Sequence, residues 1–178
     1  MFTFDIQNKD RRTYCGMVTA LDEAIGNITR TLKEAGMENN TLIIFTTDNG
    51  GQTLNGGNNF PLRGNKVKIL LLPFWLKLCI QNTLWEGGTR AAAFMHGSML
   101  SRPGRVSSDL VHVTDWLPTL VTAAGGDTRE MLEEDMDGVN QWEQLSSGRG
   151  GSKRRTMLYN IDPLLDPVSN NGNNAAIR

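Results

Sequence analysis

The sequence predicts an α/β fold in which a largely parallel sheet is layered against helices. Three observations carry that expectation. Val18, Leu21, Ile25, Ile28 and Leu32 recur at helical spacing and share one face, while Asp22, Glu23, Arg30 and Lys33 fall mostly on the other. Thr41 to Thr47 (TLIIFTT) then forms a continuous apolar and β-branched run, the pattern of a strand buried on both faces. A helix leading straight into such a strand belongs to layered α/β architecture. Finally, a loop dense in glycine and asparagine, Asp48 to Lys66, leaves the carboxyl end of that strand, where open α/β sheets gather their ligands.

The remaining elements follow in order. Residues 1–13 read as a polar lead-in, and the helix begins at Gly16 and ends at Gly36, a residue suited to a helix C-terminus. Asn39-Asn40 makes the turn into the strand. Trp85-Glu86-Gly87-Gly88 reads as a turn, Arg90 to Phe94 as a short strand and Leu110 to Val113 as another. Thr114 or Asp115 caps a helix running to Ala124. Pro118 is tolerated in its first turn, where amide groups have no intrahelical partner. Val139 to Leu145 reads as a short helix, Met157 to Ile161 as a strand and the tail from Asp162 as loop. No internal repeat or domain linker is visible, and the length suits one domain.

Composition excludes several classes. A formal net charge of −1 offers no field that would draw in nucleic acid or an acidic membrane. The most apolar run, Val67 to Ile80, is interrupted by Lys68, Pro73 and Lys77. It is shorter than the ~20 residues of a spanning helix, so no membrane span is expected. The first residues lack the basic start, apolar core and cleavage site of a signal peptide. Cys15 and Cys79 make no disulfide framework and do not report a redox compartment. No specific protein partner is expected.

A few residues could carry chemistry. Asp48 and Asn49 supply a carboxylate and a carboxamide, two hard oxygens suited to Ca²⁺ or Mg²⁺, with Gly50-Gly51 letting the backbone turn beside them. From pattern alone the same four residues read first as a favourable turn. Arg63 and Lys66 are two cations in one glycine-rich loop and could clamp a sulfate or phosphate, or could be solvated loop charges. His96 and His112 are too far apart in sequence to suggest a zinc site, and His112, beside a helix start, reads as a structural hydrogen-bonding residue. Asn27-Ile28-Thr29 and Asn39-Asn40-Thr41 are glycosylation sequons.

In combination, YCGMVTALDEAIGNIT, NNTLIIFTTDNGGQTLNGGNNFPLRGNK, LWEGGTR, LVHVTDWLPTL, DGVNQWEQLSSG, LYNIDP and AAIR resemble the sulfatase family, within the alkaline-phosphatase-like superfamily, and most of all its arylsulfatase B group (N-acetylgalactosamine-4-sulfatases). The resemblance covers nearly the whole chain. It implies a mixed, largely parallel sheet between helices, of which residues 1–178 would form the C-terminal part of an incomplete catalytic domain. It also implies calcium held by Asp48 and Asn49, substrate sulfate contacted by Lys66, glycans at Asn27 and Asn39, sulfated glycosaminoglycan sugars as substrates, and a lysosomal or secreted location. In the family a formylglycine made from cysteine attacks sulfur while metal and basic side chains stabilise the charge on its oxygens.

The chain departs from that pattern at two places. Formylglycine arises within Cys-x-Pro-Ser-Arg, but Cys15 precedes Gly-Met-Val and Cys79 precedes Ile-Gln-Asn, so no catalytic nucleophile is encoded in these residues. The family also places the sulfate-contacting lysine almost next to Leu-Trp-Glu-Gly-Gly. Removing 67–81 restores that spacing, which marks Val67 to Gln81 as a non-family insertion expected to displace Lys66 or leave an exposed apolar loop. The expected function is a calcium-dependent sulfuric ester hydrolase, inactive as this chain alone. The alternatives are a non-catalytic sulfatase-like protein with a binding role and a phosphoesterase of the same superfamily.

Overall fold

Asn8 starts the first helix by accepting the Arg11 amide on its side chain at 2.8 Å, and α1 then runs from Lys9 to Glu34. It therefore begins inside the stretch expected to be a polar lead-in. Lys9, Arg11 and Arg12 are good helix formers, and a capped first turn needs no apolar face. At the other end Gly36 adopts a φ of 69°, while the Met37 and Gly36 amides return to the Leu32 and Lys33 carbonyls at 2.9 and 3.0 Å. This is the paired C-terminal closure that a left-handed glycine permits.

The computed structural model describes residues 5–66, 84–129, 136–161 and 175–178, and the chain divides into two units, Met1–Met95 and His96–Arg178. The stretch 67–81, expected to be an insertion, lies outside the described residues. Among the described residues, no helix is long and apolar enough to cross a membrane.

In the first unit, β1 (Ile43–Thr46) pairs with β2 (Ala93–His96). The Thr47 amide donates to the Ala92 carbonyl at 2.9 Å and the Phe45 and Phe94 rings stack with centroids 5.2 Å apart, so the end of β1 meets the start of β2. Ile43 to Phe45 are half-buried rather than buried on both faces as expected, and Thr46 is exposed. The apolar face of α1 is likewise open, with Met17 60% and Ile28 56% exposed. The segment Glu86–Thr89, expected as a turn, is a short helix, α2. It is closed by the Arg90 amide on the Glu86 carbonyl at 2.9 Å, which moves the following strand from Arg90–Phe94 to Ala93–His96.

In the second unit, Leu110 to Val113 is not a strand. The Leu110 carbonyl is taken by side chains, Ser152 Oγ at 2.8 Å and Gln141 Nε2 at 3.2 Å, so no ladder forms there. His112 instead caps a 3₁₀ turn at Val113–Asp115, and α3 follows from Trp116 to Ala123. The short helix expected at Val139–Leu145 starts later, as α4 (Trp142–Ser147), because Val139 and Gln141 give their amides to Asp115 Oδ1 and Thr119 Oγ1 at 2.8 and 2.9 Å. β3 (Leu158–Ile161) pairs antiparallel with β4 (Ala175–Ile177), and Met157 and Arg178 exchange both backbone hydrogen bonds at 2.8 Å. The last residues, expected as loop, are thus a strand.

Asp115 holds the second unit together. It is fully buried, accepts the His112 and Val139 amides and receives Arg154, whose Nη2 lies 2.5 Å from Oδ1 and whose Nε lies 2.9 Å from Oδ2. Arg154 also donates to the Asp137 carbonyl at 2.8 Å. Burial opposes ionisation of this carboxyl, but the bonds from Arg154 and the two amides outweigh it and hold its pKa below the ordinary 3.8. A carboxylate with a depressed pKa contributes stability above its unfolded-state value and loses it as pH falls through the folded one. Asp115→Ala should cost about 3–5 kcal/mol, because it strands the Arg154 charge indoors. Urea unfolding across pH should show the parent losing stability as the pH drops to 3.8 and below, and Asp115→Ala lacking that share of the loss. An unchanged midpoint would remove Asp115 from this role.

Candidate metal and anion site

The loop after β1, the Asn58–Lys66 loop and the start of α2 converge with backbone against backbone. The Gly50 amide donates to the Gly88 carbonyl at 3.0 Å, and the Gly87 amide donates to the Arg63 carbonyl at 2.7 Å. A Cβ on Gly50 would stand 1.8 Å from the Gly87 oxygen, and one on Gly87 would stand 2.2 Å from the Gly64 oxygen. Only glycine admits that approach.

Asn59 stitches two of these loops. Its Oδ1 accepts the Gly51 amide at 2.7 Å, and its Nδ2 donates to the Gly51 and Gly64 carbonyls at 2.8 and 3.1 Å. From α1, Arg11 Nη1 donates to the Gly56 carbonyl at 2.7 Å, tying the helix to the same loop. Neither residue was singled out by sequence. Asn59 sits in an Asn-Asn pair that reads as ordinary turn chemistry, and Arg11 lay in the presumed lead-in.

This framework brings Asp48 and Lys66 together, with Nζ 3.4 Å from Oδ2 and both side chains largely exposed. Asn49 follows, half-buried. Its Nδ2 donates to the Gly50 carbonyl at 2.8 Å, which leaves its oxygen as the atom to offer a cation. The two loop cations do not form one clamp. Lys66 stands on Asp48, whereas the Arg63 guanidinium lies over the Trp85 ring, 4.2 Å from its centroid. The residues that follow Lys66, expected to displace it or to leave an exposed apolar loop, lie outside the described residues. Among the described residues no three His, Cys, Asp or Glu side chains gather around a common point.

The other sequence candidates lie elsewhere. His112 is structural, its Nδ1 2.9 Å from Thr114 Oγ1 and its backbone amide on Asp115. His96 ends β2. Asn27 is exposed in the body of α1, and Asn39 is exposed in the 3₁₀ turn Glu38–Asn40. Cys15 is a free cysteine on α1, and Cys79 lies outside the described residues.

Asn59→Ala should remove about 2–3 kcal/mol, at about 1 kcal/mol per lost hydrogen bond. It should also release the Gly51 amide to rapid hydrogen exchange. Gly87→Ala should loosen the same amide by forcing the loops apart, at a cost of about 1–3 kcal/mol. Full protection of Gly51 in both variants would refute the loop clasp.

Three comparisons bear on identity. A family model described as Sulfatase matches residues 2–126. Arylsulfatase J of Mus musculus is 43% identical over 93% of this chain and 25% of its own length, and Arylsulfatase A of Bos taurus is 33% identical over 78% and 24%. A solved structure, "Crystal structure of Ps i-CgsB in complex with k-i-k-neocarrahexaose", superposes with a TM-score of 0.64 at 35% identity, covering 79% of this chain and 27% of that one. The chain spans about a quarter of the length of these curated relatives. The fold is that of the sulfatases, and the chain belongs to the sulfatase family.

Proposed function

We propose that this chain is the calcium- and sulfate-binding portion of an arylsulfatase-type sulfuric ester hydrolase. The observation that carries the reading is the convergence of Asp48 and Lys66, an anionic oxygen donor and a cation 3.4 Å apart at the end of β1, on loops whose backbones are locked together. The donor set fits a hard cation. Asp48 offers an exposed carboxylate and Asn49 a carboxamide oxygen, both hard donors. Bound there, calcium would supply positive charge beside the sulfate oxygens.

The side chains divide the remaining work. Lys66, on a flexible four-carbon stem, reaches a sulfate oxygen with its ammonium and neutralises charge as the ester bond breaks. Asn59 and the glycines hold Asp48, Asn49 and Lys66 in register. Arg63, stacked on Trp85, fixes the loop rather than the ligand.

The finer reading places the protein near the arylsulfatase B group, acting on sulfated glycosaminoglycan sugars in the lysosome or outside the cell, with glycans on Asn27 and Asn39. Its support is the set of sulfatase segments in the sequence and the exposure of both asparagines. Because neither cysteine lies in Cys-x-Pro-Ser-Arg, the 178-residue chain should not turn over an aryl sulfate by itself.

A chimera in which this chain replaces the matching quarter of mouse arylsulfatase J tests the reading. It should hydrolyse an aryl sulfate in a calcium-dependent manner, and Asp48→Ala or Lys66→Ala should each lower kcat/KM by about a hundredfold or more, the scale of losing a charge-stabilising group. Deleting 67–81 from the chimera should raise its yield and activity. Full sulfatase activity in Asp48→Ala would refute the metal assignment, and hydrolysis of phosphate monoesters alone would favour the phosphoesterase.

A further inference from the structure

We infer that Lys66 is an internal competitor of the divalent cation for Asp48. Its ammonium lies on the carboxylate oxygen that a cation would use, and a cation bound there would turn it toward the incoming sulfate. The inference rests on the proposed role of Asp48 as a cation ligand, and it concerns the order in which the site is filled.

The geometry supports competition at one atom. Lys66 Nζ is 3.4 Å from Asp48 Oδ2, so an ammonium and a hard cation at that oxygen would repel each other. The pair is suited to exchange rather than permanence. The Lys66 and Asp48 side chains are 56% and 79% exposed, and exposed ion pairs are weak. The neighbouring cation cannot take over the same task, because the Arg63 guanidinium is engaged on the Trp85 ring. Asn49 is not contested in this way, since its amide nitrogen is turned to the Gly50 carbonyl. Of the two oxygen donors, Asp48 is the one that the lysine guards. By linkage, whatever draws Lys66 away from Asp48 favours the cation, and the cation in turn frees Lys66.

Terbium luminescence excited through tryptophan, with calcium as the competing ion, reads this out on the 178-residue chain without any turnover. At low ionic strength Lys66→Met should bind terbium about three- to tenfold more tightly than the parent, the scale of removing one nearby charge in water. Arg63→Met removes the same charge from the same loop without freeing Asp48 and should change affinity less. Asp48→Asn should lose the site, and circular dichroism confirms that each variant is folded. If Asp48→Asn loses binding while Lys66→Met binds no tighter than the parent, or no tighter than Arg63→Met, the competition is overturned and the metal assignment survives. If Asp48→Asn binds as the parent does, the metal assignment itself falls.

Discussion

The candidate site depends on a place where no side chain fits. At Gly50 and Gly87 three loops meet with their carbonyls and amides in direct contact, and even a methyl group would lie well inside van der Waals distance of a neighbouring oxygen. Backbone hydrogen bonds between loops are short and directional, so they fix position more tightly than side-chain packing on an exposed surface can. Asn59 then fills the remaining bonds of Gly51 and Gly64. Asp48, Asn49 and Lys66 inherit their positions from this clasp, although none of the three is itself buried.

Much of this was legible in the sequence, and the boundary of legibility has physical causes. Asp48, Asn49 and Lys66 were candidates in the sequence through the family resemblance, since the loop pattern alone reads as readily as a turn with solvated charges, and the structure brings Asp48 and Lys66 together. The α1 periodicity was visible from Val18 to Leu32, but its first turn was not, since capping by Asn8 makes polar residues helical without any apolar rhythm. Leu110 to Val113 carried the composition of a strand, yet the Leu110 carbonyl is claimed by Gln141 and Ser152 from far along the chain. The roles of Asn59 and Arg11 depend on contacts between segments that sequence spacing does not bring together. Arg63 and Lys66 looked like a pair in sequence, but Trp85 separates their tasks.

The second unit follows a different logic. Its centre is polar: a buried carboxylate, Asp115, joined to Arg154, with Gln141 and Thr119 buried beside it. Such a centre contributes little net stability compared with an apolar one, but it tolerates few alternative arrangements because each donor needs its own acceptor. That accords with α4 beginning at Trp142 rather than where its apolar pattern suggests. The Val139 and Gln141 amides are already committed, and a helix there would strand Asp115.

The clasp between Arg63 and Gly87 closes a loop, and loop closure depends on chain length only logarithmically. Each doubling of the connecting segment adds about 0.6 kcal/mol of entropic cost. The bonds that close it, Gly87 to Arg63 and Gly50 to Gly88, involve no atom from the connection itself. The junction after Lys66 is therefore a place where the chain can be lengthened at small cost in loop-closure entropy, because the bonds of the clasp lie outside the connecting segment.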